Sequence, residues 1–483
     1  MKKYMVAITM LTTVATQAQE AWTVKRCMQY AVEHNHEVRQ ARLELDNYEA
    51  KKLSAIGQFL PAVDAGVGAQ YNFGRAIDPE TNGYTDVSTF YNGFSLQTSL
   101  PVFDGFSRLH ALRAAKASAL MGREALRQQQ DQAALGVLQA FTNVSYYEGM
   151  IRMAKEKVEE AELLLSQTRV MEEVGRKSQA DVAQVESQRA EADYELTRQQ
   201  NLLSTALLEL KKDMAFPLDS TFSCLVAQSD TTSIATGYKH ICGIQTSQQN
   251  TEGINELLGS GEFENRQQGD AYLISEDFDS RISNSAEQRK ALEQNPELLA
   301  SRYQLLASKH EWHQARAALY PTLSLGAGLS TTYYHTLHAS SAASFGSQFR
   351  NNMGEYVAAT LSIPLFNRFQ TKTSIRRAKN NYRIAQEAYA QKQLEIEKLS
   401  QEAWQDWQGY LKQTVQMEKK VEADSLAYQL TRRQYEEGLS SAIDLHTTSS
   451  LLLQSKAMLL QCRLMAFVKH ELVRYYNGEQ IWK

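Results

Sequence analysis

The chain has 483 residues, with 55 acidic and 51 basic side chains and a formal net charge of −4 when histidine is neutral. So small an acidic excess gives no electrostatic case for a nucleic acid partner. Four cysteines (Cys27, Cys224, Cys242 and Cys462) are too few and too scattered for a disulfide scaffold, and length alone suggests about two to four domains.

Taken in order, Met1-Lys2-Lys3-Tyr4, an apolar run to Ala15 and Thr16-Gln17-Ala18 predict a secretory signal over 1–18. The first cysteine is Cys27, so an N-terminal lipid anchor is not expected. No later run reads as an apolar span of transmembrane length, so no transmembrane helix is expected. A barrel strand, which hides only half its side chains in lipid, escapes that test. Residues 23–56 predict a helix, with Cys27, Ala31, Val38, Ala41 and Leu45 at helical spacing. Two strands follow, over 60–75 and 87–101. In the first, Val63, Ala65, Val67, Ala69, Tyr71 and Phe73 alternate with Asp64, Gly66, Gly68, Gln70 and Asn72. Period two means one apolar and one wet face, and each run is long enough for a tilted membrane strand.

Residues 104–174 contain no proline and are dense in Ala, Leu, Gln, Glu and Arg, which predicts a helix of roughly 100 Å. Gly175-Arg176-Lys177-Ser178 breaks it. A helix over 178–213 follows, with a coiled-coil seam of Val182, Val185, Ala192, Leu196, Leu203, Ala206 and Leu210 interrupted by Arg189 and Gln199. Residues 214–284 have no clear period and read as a connection. Cys224 and Cys242 lie in it, where a disulfide is one option.

The plan then recurs, giving repeats over 19–213 and 285–483. Leu60-Pro61 returns as Tyr320-Pro321. Leu100-Pro101-Val102-Phe103-Asp104 returns 263 residues on as Ile363-Pro364-Leu365-Phe366-Asn367, and the same offset carries Gly175 onto Gly438 and Asp181 onto Asp444. The second copy predicts a helix over 285–317, strands over 320–335 and 352–364, and helices over 367–437 and 441–476. Four membrane-length strands cannot close a barrel, and an open edge cannot sit in lipid, so strands must be pooled between subunits. The interior then presents Gly66, Gly68, Gln70, Ser95, Gln97, Ser324, Gly326, Thr360 and Ser362, while aromatics cluster at the strand ends as interface girdles do. The fold class is an α+β membrane protein: an outer-membrane β-barrel on a long periplasmic α-helical coiled coil, with a two-fold internal repeat.

The chain resembles the TolC-type outer-membrane efflux family, through Ser99-Leu100-Pro101-Val102-Phe103-Asp104-Gly105-Phe106, Glu173-Val174-Gly175 with Ala180-Asp181-Val182, and Tyr435-Glu436-Glu437-Gly438 with Ile443-Asp444-Leu445. The resemblance implies a homotrimer whose pooled twelve strands and twelve helices form one duct in outer-membrane lipid. It also implies a periplasmic adaptor (membrane fusion) protein and an inner-membrane pump of RND, ABC or MFS type. Adaptor-docking tips would be Val174, Gly175 and Arg176, with Gly438, Leu439 and Ser440. Asp444 matches the family's first acidic aperture ring and Asp181 is its first-repeat counterpart. Thr447 stands where a second ring can lie, so a single ring is implied, and Ser440 stands where an arginine can pair with these groups. Read alone, both aspartates also fit helix caps after a turn.

Chemistry-bearing motifs are few. His310-Glu311-Trp312-His313 is one residue short of the zinc motif His-Glu-x-x-His, and His34-Asn35-His36-Glu37 is a weaker metal-like cluster. Arg376-Arg377-Ala378-Lys379 repeats Arg113-Ala114-Ala115-Lys116 and reads as a solvated face. No catalytic set, cofactor or nucleic acid partner is expected. The function implied is a passive exit duct. The alternative is a periplasm-spanning coiled-coil scaffold or adaptor without a conducting barrel, whose strands would need no lipid-facing alternation.

Overall fold

The computed structural model describes residues 22–77, 83–86, 88–220, 293–336 and 344–482. The signal expected over 1–18, most of the connection, and Cys224 and Cys242 lie outside them. The chain forms two compact units: one from Gln40–Gln128 and Gln294–Ile396, the other from the remaining described residues.

The first unit carries an antiparallel sheet of β1 (Ala62–Asn72), β4 (Thr89–Phe103), β5 (Thr322–Thr336) and β6 (Gly354–Ser362), in the order β1-β4-β5-β6. The register opposes Val67 to Phe94, Leu96 to Leu329, and Ala327 to Val357. Because side chains alternate, these pairings put Val63, Val67, Phe94, Leu96, Leu325 and Val357 on one face. All nine residues expected to line an interior fall on the other. Both edge strands, β1 and β6, are exposed along their whole length, with Val67 72% and Val357 85% accessible.

Strand limits differ from the expectation. The first strand stops at Asn72, because Gly74 (φ +105°) turns the chain into a separate hairpin of β2 (Arg75–Ile77) and β3 (Tyr84–Asp86). β4 runs on through Pro101, where the ladder slips in register, as a residue without an N–H requires. A short helix, α6 (Phe345–Asn351), was not foreseen. Its Phe345 and Phe349 pack on Phe94 of the apolar face, and Gln348 exchanges hydrogen bonds of 2.9 Å with both the N–H and the C=O of Tyr334.

Each strand pair hands over to a helix through two consecutive left-handed residues, Gly105-Phe106 and Arg368-Phe369. At Gly105 no side chain fits, since a Cβ would lie 2.7 Å from both the Ala317 carbonyl oxygen and Tyr320 Cβ. The helices that follow, α3 (Ser107–Glu173) and α7 (Gln370–Glu436), are both 67 residues long, or roughly 100 Å at 1.5 Å per residue.

The helix expected over 23–56 is broken into α1 (Val24–His34) and α2 (His36–Gly57). Asn35 ends α1 and accepts from the Glu37 N–H at 2.8 Å, while its amide donates to the Asp213 carbonyl at 2.9 Å. Its repeat counterpart Asn295 caps α5 (Pro296–Ala317) in the same way, with proline in the first helical turn, so the helix expected over 285–317 is interrupted at Asn295, its part before 293 lying outside the described residues.

In the second unit, Met28, Val32, Leu138, Phe141, Leu210 and Met214 join α1, α3 and α4 (Gln179–Met214) in one core. Cys27 lies there too, a free thiol that burial pushes up to about 12. In the α4 seam it is Gln188, not Arg189, that is buried; Arg189 pairs with Glu162 at 3.0 Å. Contrary to the expectation, one helix among the described residues is long and apolar enough by composition to span a membrane: α8 (Ala442–Tyr476), with a mean hydropathy of 1.3 in its most apolar window. It supplies Leu445 to one core cluster and Tyr475 to another, while only 22% of its most apolar window is buried.

Candidate functional site

The expected site residues gather at the two turns joining α3 to α4 and α7 to α8. Each turn is built the same way. Gly175 (φ +74°) and Gly438 (φ +79°) adopt the left-handed conformation that ends a helix, and the following N–H reaches back five residues, Arg176 to the Met171 carbonyl and Leu439 to that of Gln434, both at 2.8 Å. Three residues beyond each glycine a serine starts the next helix. The Ser178 N–H and hydroxyl donate to the Asp181 carboxylate at 2.9 and 2.8 Å, and the Asp181 N–H donates back to the Ser178 hydroxyl. Ser441 and Asp444 repeat this reciprocal box, with the Ser441 hydroxyl 2.6 Å from the carboxylate. Both aspartates therefore cap helices.

Capping leaves the carboxylates charged. Asp444 is exposed, and the hydroxyl and N–H of Ser441 hold its carboxyl below the usual range; the same two donors of Ser178, the N–H foremost, act on Asp181. Thr447 donates its hydroxyl to the Ile443 carbonyl of its own helix at 2.8 Å and so presents no charge. Val174 and Leu439 project from the tips, 66% and 76% accessible, beside Ile443 at 62%. Exposed apolar knobs next to charged caps are what a partner helix can grip.

The structure also brings together residues that the sequence did not single out. Tyr435, 1% accessible, places its hydroxyl 2.9 Å from that of Thr168. Thr168 already donates to the Leu164 carbonyl at 2.8 Å, so the tyrosine is the donor. Lys177 lies over the Tyr435 ring, 4.2 Å from its centroid, and donates to the Ser440 carbonyl at 3.4 Å. Gln188 donates to the Ala442 carbonyl at 3.2 Å. With the cluster of Leu165, Val185, Tyr435, Ala442 and Leu445, these contacts tie the first-repeat turn to the second.

The metal-like motifs resolve differently. His34 stacks on Tyr30 and its Nδ1 lies 3.0 Å from the Tyr30 carbonyl. His310 and His313 of α5 meet His110 of α3, with ring centroids 5.8 and 5.1 Å apart, but no group of three or more His, Cys, Asp and Glu among the described residues is arranged to hold a metal.

A family model described as outer membrane efflux protein matches residues 27–214 and 288–466, one segment on each repeat. The chain belongs to the outer membrane efflux protein family. Solved structures agree on the fold. The channel CusC superposes with a TM-score of 0.74 at 16% identity, covering 95% of this chain and 92% of that one. VceC of Vibrio cholerae, an outer membrane protein, gives 0.73 at 13% identity, covering 95% and 96%. The open state of the MtrE outer membrane channel of Neisseria gonorrhoeae gives 0.69 at 15%, covering 94% and 88%. No curated protein sequence matches significantly. The efflux protein is thus an outer-membrane channel with periplasmic helices.

Proposed function

We propose that this efflux protein is the exit duct of a tripartite efflux or type I secretion system, carrying substrates passively across the periplasm and the outer membrane. Three copies pool four strands each into a twelve-stranded barrel and their helices into a coiled-coil tube. A periplasmic adaptor grips the tips at Val174, Gly175 and Arg176 and at Gly438, Leu439 and Ser440, and an inner-membrane pump supplies the energy. Asp444, with Asp181 and the uncharged Thr447, lines the periplasmic aperture, where a single acidic ring gives a weak cation preference.

The observation that carries this reading is the sheet: four strands, one largely apolar face and two fully exposed edges. Backbone groups on such edges have no partner in lipid, so edge must meet edge in a neighbouring copy. A soluble scaffold would instead cover the apolar face with a second layer.

The test is reconstitution. The purified protein should require detergent, run as a trimer by light scattering and conduct ions in planar bilayers. A water-soluble monomer without conductance would overturn the reading.

A further inference from the structure

We propose that a basic stripe on the first turns of α7, with Arg316 of α5, binds the anionic headgroups of phospholipids in the periplasmic leaflet of the outer membrane. From Glu355 to Glu387 the chain has no acidic residue, yet it carries Arg368, Lys372, Arg376, Arg377, Lys379 and Arg383. Lys372, Arg376, Lys379 and Arg383 follow at steps of four, three and four, so they share one helix face. All four are exposed, and none has an ion-pair partner among the described residues.

The rest of the same helix behaves otherwise. Lys392 pairs with Glu297 at 2.7 Å, Lys398 with Glu402 at 3.1 Å, Lys420 with Asp424 at 2.8 Å and Arg432 with Glu436 at 3.2 Å. Lys412, Lys419 and Arg433 also lack an ion-pair partner among the described residues, but only where the helix leaves the membrane strand do several such cations follow one another on one face with no acidic residue between them. The first repeat places Arg113 and Lys116 at the corresponding positions of α3, equally exposed and without an ion-pair partner among the described residues.

Two elements converge here. Lys379 lies 5.9 Å from the centre of the Trp312 ring and Arg316 5.6 Å from it, with Tyr382 stacked on the ring at 5.8 Å. The indole Nε1 is buried without a hydrogen-bond partner, on a ring that both cations approach. The strand–helix junctions add an apolar rim: Leu319, Tyr320, Leu365, Phe366 and Phe369 are each more than half accessible. Aromatics at the hydrocarbon boundary with cations one step further out are the pattern of an interfacial anchor. At 1.5 Å per residue, Arg376 lies about 9 Å along α7, within reach of a headgroup layer some 5–8 Å thick. Phosphate is the acceptor that such cations select.

The test uses full-length protein in vesicles of phosphatidylethanolamine mixed with either phosphatidylglycerol or phosphatidylcholine. Lipids retained after detergent extraction are counted by native mass spectrometry. The wild type retains phosphatidylglycerol over phosphatidylcholine by at least about fivefold, the worth of one cation at a charged surface, and molar salt abolishes the preference. The triple variant K372Q/R376Q/K379Q loses it, while K412Q/K419Q, two exposed lysines further along α7, keeps it. Equal retention of both lipids by the wild type, or an unchanged preference in the triple variant, overturns the proposal. So does a triple variant whose oligomer dissociates while its lipid preference persists, because the stripe would then pair with a second copy. If the triple variant does not assemble, the wild-type ratio and its salt dependence decide. Neither readout depends on ion conduction, so failure here leaves the channel reading standing.

Discussion

Replacing Tyr435 by phenylalanine removes one hydroxyl and keeps the ring, so it isolates the hydrogen bond that ties α7 to α3. The hydroxyl is buried and donates to Thr168 at 2.9 Å. A neutral hydrogen bond of this kind is worth about 1 kcal/mol net, and the Thr168 oxygen keeps its bond to the Leu164 carbonyl, so little further penalty arises. Lys177 still lies over an aromatic face. If the aperture widens by parting the first-repeat turn from the second, the bond is lost on opening, and its removal favours the open state. Three copies opening together would forfeit about 3 kcal/mol, a roughly hundredfold shift in the closed-to-open ratio. The assay is single-channel recording in planar bilayers, with Thr168→Val and the double variant completing a cycle. The singles should raise the time spent at high conductance, and the double should fall short of their sum by a coupling of about 0.5–3 kcal/mol. A Tyr435→Phe channel with wild-type open time and a lowered melting temperature would refute the reasoning, because the hydroxyl would then hold the two helices equally well in both states.

Other expectations follow from the same geometry. Asp444→Ala should raise conductance and weaken cation preference, while costing α8 about 1 kcal/mol as its cap is lost; a stability loss with unchanged selectivity would leave Asp444 a cap alone. Because Ser441 holds that carboxyl below the usual range, the wild-type preference should persist to lower pH than a free aspartate would allow, read from reversal potentials. Gly105→Ala should cost roughly 2–4 kcal/mol by combining a left-handed φ with collision against Ala317 and Tyr320. Gly136→Ala, in an open helical position, should raise the melting temperature. Burial, then the charges of Arg113, Lys309, Arg316 and the neighbouring imidazoles, hold His110, His310 and His313 below the ordinary histidine value. The unfolded chain therefore takes up protons first, so stability is full above the ordinary value and falls as pH drops toward the depressed one. His110→Gln should flatten that slope in melting curves taken across mildly acidic pH.

Much of the fold is legible in the sequence because two signals reinforce each other. Alternation of apolar and small polar residues fixes which side of each strand is which, and a constant offset of 263 shows that the long helices tolerate no insertion. The register bears this out, since residues assigned to the interior from four separate segments fall on one face of one sheet. What was missed depends on contacts distant in sequence. The helical pattern runs straight through Asn35, and only its bond to the Asp213 carbonyl, 178 residues away, shows why the helix stops there. Pro296 carried a local signal, since Asn-Pro is a cap followed by a first helical position, and the alignment of Asn295 with Asn35 pointed to both breaks.

The candidate site divides along the same line. Both capping boxes are spelled out locally, as Ser178-Gln179-Ala180-Asp181 and Ser441-Ala442-Ile443-Asp444. The tie between the turns is not, because it rests on places where the repeats differ. The 263 offset sets Tyr435 against Glu172 and Lys177 against Ser440, and in the fold Lys177 donates to the carbonyl of its own counterpart. Duplication thus supplied two equivalent turns, and divergence at these two positions supplied the contact between them. A chain with both halves like the first would present lysine to lysine there and glutamate in place of the buried tyrosine. Like charges would then part the turns where the present pair holds them. The asymmetry that hides the tie from a repeat-based reading is the property that lets the turns bind one another.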